Sequence, residues 1–348
     1  MKDAVLTIGA MGWVHHIATD EAGYGPTLGP LVITATLWSA PREHPPGIWY
    51  SLLAPEITVA PLKKTRASNQ RCETHCTKTS MDRVIPLWIA DSKKVYTGNS
   101  GWHNLEKAAL AILGQVYQFP CDWKNLVRQL DPSARPWLQT VPWLAAFDRN
   151  LPLTCKSAEI DAATQCLSET LARNDFRLEQ VRVHFLPAIR FNQLLERFGK
   201  KSDMLSRLTL ELARQVTPEV GQAHVWADKH GGRDRYAQHL EDVFPGDFIR
   251  VVQESREISE YEIQASQRNI RFCFQAKAES YFIVAASSIV SKYLREVAMC
   301  AFNEYWRQLK PDLRPTAGYP EDARRFLREI APLMEETGIP ATTVRRLK

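Results

Sequence analysis

Short β-branched runs punctuate the chain, and between them lie stretches whose apolar residues recur at helical spacing. "VHHIAT" and "LVITATLW" read as strands on either side of a glycine-rich segment. After Trp38 the pattern lapses into the proline-rich "SAPREHPPGIWYSLLAPEITVAPLKK" and a basic stretch, until "IPLWIADSKK" restores an apolar strand. "WHNLEKAALAILGQVY" has helical spacing through Leu105, Ala108, Leu110 and Ile112. A second irregular block, from about Phe119 to Asp175, holds Trp123, Trp137 and Trp143 and turns helical near "AATQCLSETLA". Core packing explains these tryptophans better than stacking on bases. Then "VRVHFLPA", "DMLSRLTLELARQV", "AHVWAD" and "DRYAQHLEDVF" alternate strand and helix, the mark of a layered α/β domain. "FIRVVQ", "SEYEIQA" and "NIRFCFQA" predict further strands. A long apolar helix, "FIVAASSIVSKYLREVAMCAFNEYW", follows them, and "PEDARRFLREIAPLM" forms a last helix begun by Pro320. The reading is one α/β domain over 1–348, interrupted by insertions at about 41–82 and 115–177. Residues 309–348 form a C-terminal helical segment with a basic tail.

Composition narrows this picture only a little. With 348 residues, 45% hydrophobic and 24% charged, the chain can bury a large core. The apolar runs are too short to span a bilayer and the N-terminus lacks a cleavage pattern, so no membrane partner and a cytoplasmic location are expected. Seven cysteines, an odd number spread widely, argue against a disulfide framework. "CETHC" places Cys72, His75 and Cys76 together, but no second cluster completes a zinc site, and a polar loop with free thiols is the simpler reading. The net charge of +5 is a mild push toward polyanions. It is concentrated in Lys63, Lys64, Arg66, Arg71 and Lys78, and in the tail "TTVRRLK".

Four acids stand out by position. Asp20 and Glu21 end the first strand, Asp228 ends "AHVWAD", and Glu279 lies in "QAKAES" just before the long helix. Strand ends lift side chains into the crevice where sites in open α/β folds lie. Clustered carboxylates repel one another unless a cation neutralises them, and hard oxygen ligands suit Mg²⁺ or Mn²⁺. Two such ions about 4 Å apart serve phosphodiester hydrolysis. Beside the first pair, Gly23 and Gly25 let backbone approach a sugar-phosphate chain. No nucleotide-binding P-loop and no acyl-transfer serine elbow is present. His230, two residues past Asp228, is the best histidine for proton transfer or phosphate contact, while His16 and His224 read as core or strand-edge residues. Glu254, Glu257, Glu260 and Glu262 read as solvated hairpin charges.

"TDEAGYGPTLGPLVITA" resembles the opening D-E-x-G-x-G motif of the type 2 ribonucleases H, ribonucleases HII and HIII. "IADSKK" resembles their D-S-K-K stretch, and "VWADKHGGRDRYAQHLEDVFPG" their third-acid strand. "QAKAESYFIVAASSIVSKY" is similar to the fourth-acid motif, in a form closer to HIII than to HII. The matches occur in the family's order over about 200 residues and leave the two insertions unmatched. The resemblance implies a ribonuclease H-like mixed sheet flanked by helices. It also implies metal-dependent endonuclease cleavage of the RNA strand of an RNA–DNA hybrid or ribonucleotide-containing duplex, giving 5′-phosphate and 3′-hydroxyl ends. Carried over by position, Asp20, Glu21, Asp228 and Glu279 are the catalytic, metal-binding set. Gly23, Tyr24 and Gly25 face the ribose-phosphate backbone, and Lys93, Tyr281 and Lys292 complete the nucleic-acid contacts. HII proteins usually carry Arg where this chain has Tyr24, which removes a guanidinium from the contact. Two other classes of function stay open on the sequence alone: a binding module that kept the fold with weak or no catalysis, and a structure-specific DNA nuclease.

Overall fold

Seven strands form the central sheet of the computed structural model, which describes residues 12–60, 86–98, 100–119 and 121–347. They are β1 (Trp13–Ala22), β2 (Leu31–Pro41), β3 (Arg177–Leu186), β4 (Gly221–Asp228), β5 (Phe248–Glu254), β6 (Ile258–Gln264) and β7 (Arg268–Gln275). Their spatial order is β3-β2-β1-β4-β7-β6-β5. Antiparallel pairs flank a parallel centre, in which β4 lies between β1 and β7. The sheet is mixed and helices cover it on both faces. The basic segment 63–78, with Cys72, His75 and Cys76, lies outside the described residues.

On one face, α4 (Ala188–Phe198) and α5 (Lys201–Val216) present Phe191, Leu205, Leu208 and Leu212 to Ile17, Ile33 and Val225. On the other face runs α6 (Phe282–Leu309), whose N-terminal turns use small residues and so lie close to the strands. Ser287 Oγ donates to the Ala18 carbonyl at 3.0 Å and Ser291 Oγ to the Asp20 carbonyl at 3.0 Å. These bonds fix the height of β1 against the helix, and with it the position of the first acid.

The second insertion does not stand apart. Trp123 and Trp143 are buried in the same apolar cluster as α6, and Trp143 meets Phe302 edge-on at 5.0 Å. Beside α6 pack α1 (Ser92–Val95), α2 (Gly101–Leu113) and α3 (Ser157–Ala172), and α7 (Pro320–Thr337) adds Phe326 to the cluster. Glu106 on α2 is fully buried and accepts five hydrogen bonds. The donors are the N–H groups of Leu153, Thr154 and Cys155, the Thr154 hydroxyl and the Tyr293 hydroxyl. One carboxylate thus ties the end of the insertion to two helices.

The helix expected over "DRYAQHLEDVF" is shorter, Ala237–Val243. Tyr236 is withdrawn from it because its N–H donates to the Tyr261 hydroxyl at 2.8 Å, while its own hydroxyl accepts the His230 N–H at 2.9 Å. Among the hairpin acids, Glu260 pairs with Arg271 and Glu262 with Arg250 across neighbouring strands. Among the described residues, no helix is long and apolar enough to cross a membrane.

Candidate metal and nucleic-acid site

The β1/β4 ladder ends at Thr19 and Ala227, so Asp20 and Asp228 emerge side by side at the same edge of the sheet. Asp228 is also paired with Gln275 of β7. From there the chain turns through Lys277, held in the left-handed region at φ 63°, into a single 3₁₀ turn, Ala278–Ser280, that carries Glu279. The Ala278 N–H points at Asp228 Oδ1, 3.4 Å away. Asp20, Glu21, Asp228 and Glu279, expected from three separate stretches of sequence, therefore line one cleft of about 340 Å³.

Gly23, Tyr24, Gly25, Lys93 and Lys292 line the same cleft. Gly23 is required where it stands: its φ is 92°, and an added Cβ would sit 2.5 Å from the Pro30 carbonyl oxygen and 2.8 Å from Arg295 Nε. The loop it belongs to is tied down from far along the chain. The N–H groups of Thr27 and Leu28 donate to the Gly318 carbonyl, and the Arg346 N–H donates to the Thr27 carbonyl. Lys93 reaches the cleft because Asp91 caps α1, accepting the Lys93 N–H at 2.9 Å, and Ser92 bonds to Ser288 of α6 at 2.9 Å. The D-S-K-K stretch divides its labour: one residue caps, one anchors, one faces the acids.

Electrostatics show what the cluster lacks. Burial, then Glu21 and Glu279, push the Asp20 carboxyl well above its usual range, against the hydrogen bond from Ser288. Burial, Asp228 and Glu279 raise Glu21 to about 7, with Lys93 opposing. Glu279 is raised by burial and by Asp228. Two lysines at the rim do not offset the mutual repulsion of these groups.

The donor set is carboxylate oxygen throughout, which fits hard divalent cations. No three of the four acids bring oxygens within 4.8 Å of one another.

Several other residues sit differently from expectation. Tyr281 does not line the cleft. It caps α6, packs against Trp226 at 5.0 Å, and donates its hydroxyl to Gln275 Oε1 at 3.1 Å. His230 is not at the site: it is 3% exposed, bonds to Ser206 Oγ at 3.1 Å, and burial lowers its pKa to about 3. A histidine buried in the core, with a ring nitrogen bonded to Ser206, does not reach a phosphate in the cleft. His16 is buried as expected.

Sequence reasoning passed over Ser92, Ser288, Arg295 and Tyr319, which also line the cleft. Ser288, Lys292 and Arg295 fall at helical spacing on one face of α6, a signal available in "SSIVSKYLRE". Arg295 is 2% exposed. It donates to Glu296 and to the Ala317 carbonyl, while its Nε has no partner among the described residues.

No protein-family model matches the chain, and no curated protein matches it. Solved structures do. The chain is 14% identical to the ribonuclease HII of a PCNA:RNase HII complex from Archaeoglobus fulgidus, covering 96% of both chains at a TM-score of 0.38. It is 14% identical to ribonuclease H2 from Pyrococcus horikoshii OT3, over 95% of this chain and 92% of that one, at a TM-score of 0.38. A Bst-RNase HIII structure in complex with Mn²⁺ is 15% identical over 99% of this chain and 70% of that one, at a TM-score of 0.37. These three solved structures are of a ribonuclease HII, a ribonuclease H2 and a ribonuclease HIII.

Proposed function

We propose that this protein is a divalent-cation-dependent endonuclease that cleaves the RNA strand of RNA–DNA hybrids. One observation carries the reading. Four carboxylates from three separate segments converge on one cleft beneath a glycine loop, at the cost of mutual repulsion that raises three of them above their ordinary affinity for protons. A fold gains no stability from that arrangement, whereas a nuclease needs it.

In this reading Asp20, Glu21, Asp228 and Glu279 hold two Mg²⁺ or Mn²⁺ ions. When bound, these ions neutralise the cluster and stabilise the charge that develops on the phosphate under attack. Lys93 and Lys292 face the phosphates. The backbone of Gly23, Tyr24 and Gly25 lies against the ribose, where a 2′-hydroxyl distinguishes RNA from DNA. Water attacks phosphorus in line, the bond from phosphorus to the 3′ oxygen breaks, and the products carry 5′-phosphate and 3′-hydroxyl ends.

The test is cleavage of an end-labelled hybrid with Mg²⁺ or Mn²⁺ by the wild type and by Asp20→Asn, beside single-ribonucleotide duplex and branched DNA. Internal cuts in the RNA strand that fall at least ~100-fold in the variant are expected, since the ligand set is what the chemistry uses. Hybrid that is bound but uncut with either cation returns the protein to the class of binding modules. Cuts confined to branched DNA assign it to structure-specific nucleases.

A further inference from the structure

We infer that His103, Cys155 and Glu159 form a binding site for a thiophilic divalent cation, zinc by ligand chemistry, that joins the start of α2 to the start of α3. Among the described residues, this is the group of three metal-ligating side chains whose ligand atoms, one from each, all lie within 4.8 Å of one another. It is independent of the acid cleft and of the proposed reaction.

The geometry is close to what one ion would impose. Cys155 Sγ lies 3.4 Å from His103 Nδ1. Tetrahedral zinc with its ordinary bonds to sulfur and nitrogen would set that separation at about 3.5 Å. Sγ also donates its S–H to the His103 carbonyl oxygen at 3.4 Å. Glu159 uses Oε2 to accept the Lys156 N–H at 2.9 Å, the capping bond of α3. Its other oxygen, Oε1, faces His103 Nε2 at 3.8 Å, too far for a hydrogen bond. An ion held between Cys155 Sγ and His103 Nδ1 needs the Glu159 carboxylate turned from Nε2 toward Nδ1; that side chain is half-exposed, and one ligand atom from each of the three residues already lies within 4.8 Å of the others.

Surroundings favour a cation here. Cys155 is 8% exposed and lies next to Glu106 and Glu159, whose charges with burial hold the thiol protonated, its pKa near 12. Lys107 and Lys156 stand nearby and act on Glu159 from outside. A metal ion reverses this balance, because a coordinating thiol gives up its proton. The three backbone bonds that Glu106 accepts from residues 153–155 fix the Cys155 backbone, so the soft ligand is held in place. Ligands from His103 and Cys155, 52 positions apart, would close the chain between them, including the first part of the second insertion, as a loop. Three protein ligands leave a fourth position open to water on the exposed side of His103.

Cobalt substitution tests this directly. Metal-free full-length protein titrated with Co²⁺ should show a thiolate-to-metal charge-transfer band that saturates at one equivalent and is displaced by Zn²⁺ but not by Mg²⁺. Cys155→Ser should abolish the band. His103→Gln and Glu159→Gln, both at half-exposed positions that folding tolerates, should weaken Zn²⁺ binding by at least ~10-fold, the smallest loss that outer-sphere changes alone cause at metal sites. Asp20→Asn should leave the band intact. Absence of a thiolate band in the wild type overturns the assignment. So does a band that survives Cys155→Ser and disappears in a Cys72→Ser, Cys76→Ser double variant, since it would place the metal on the "CETHC" stretch.

Discussion

Replacing Glu21 with glutamine should make the metal-free protein more stable at pH 8 and leave it unchanged at pH 4.5. Glutamine has the shape of a protonated glutamate, so it keeps the packing of the cleft and removes only the charge. The Glu21 carboxyl is raised from 4.5 to about 7 in the folded chain, so the native state holds a proton that the unfolded state has lost across that window. A native state that binds more protons than the unfolded state loses stability as pH rises. The loss begins near pH 4.5 and is complete above 7. At 1.36 kcal/mol per unit, the shift corresponds to about 3 kcal/mol. Urea unfolding in EDTA, of wild type and Glu21→Gln, at pH 4.5, 6 and 8, measures it. The two curves should coincide at pH 4.5 and separate progressively to about 3 kcal/mol at pH 8. Adding Mg²⁺ at pH 8 should then raise the wild type more than the variant, closing the gap, because binding to the native state alone stabilises by mass action. A variant less stable than wild type at pH 8 in EDTA, or a difference that does not change with pH, refutes the picture of an uncompensated acid cluster.

Glu106→Gln should destabilise the protein by about 2–4 kcal/mol in chemical unfolding, since an amide cannot accept from all five donors and leaves buried N–H groups facing its own NH₂. The wild-type Glu106 carboxyl is held below its ordinary pKa by those donors, so its contribution is present above about pH 4.5 and is lost as pH falls through the lowered value. Gly23→Ala should cost about 1–3 kcal/mol through the positive φ and the contact with the Pro30 carbonyl. Its effect on hybrid cleavage should exceed its effect on melting temperature, because the strain falls on the loop over the acids. An alanine variant equal to wild type in both would show that the loop is not held as described.

Much of the site was legible because its residues occupy strand ends and short motifs. Asp20 and Asp228 terminate apolar runs, although β1 continues past Asp20 and Glu21, expected to end it, to Ala22 in its pairing with β2. The D-S-K-K stretch and the glycine loop likewise sit where their spacing placed them. What the sequence could not disclose depended on packing between distant segments. His230 looked available two residues after Asp228, but the chain turns it inward, where Ser206 and Tyr236 occupy its polar atoms. Tyr281 follows Glu279 closely, yet the 3₁₀ turn rotates it toward Trp226 instead of the acids. Arg295 and Ser288 escaped notice because an apolar helix hides the face that meets the cleft. The second insertion looked like a separable block by its irregular pattern. Its tryptophans pack in or against the principal core, as the sequence reading expected, but which core they join is a fact that no local periodicity records.

The carboxylates are complete once residue 279 has been added to the chain, yet the loop beside them is not. Arg346 bonds to the carbonyl oxygens of Thr27 and, through its side chain, Pro26, and residues 28 and 345 pair as a short antiparallel bridge. During synthesis, therefore, an emerging chain carries all four carboxylates of the cleft for about 65 further residues before it can fix the loop beside them. A truncation before Arg345 would produce the same half-built state permanently. Order of manufacture thus separates the gathering of the acids from the fixing of the loop beside them, and it puts the loop last.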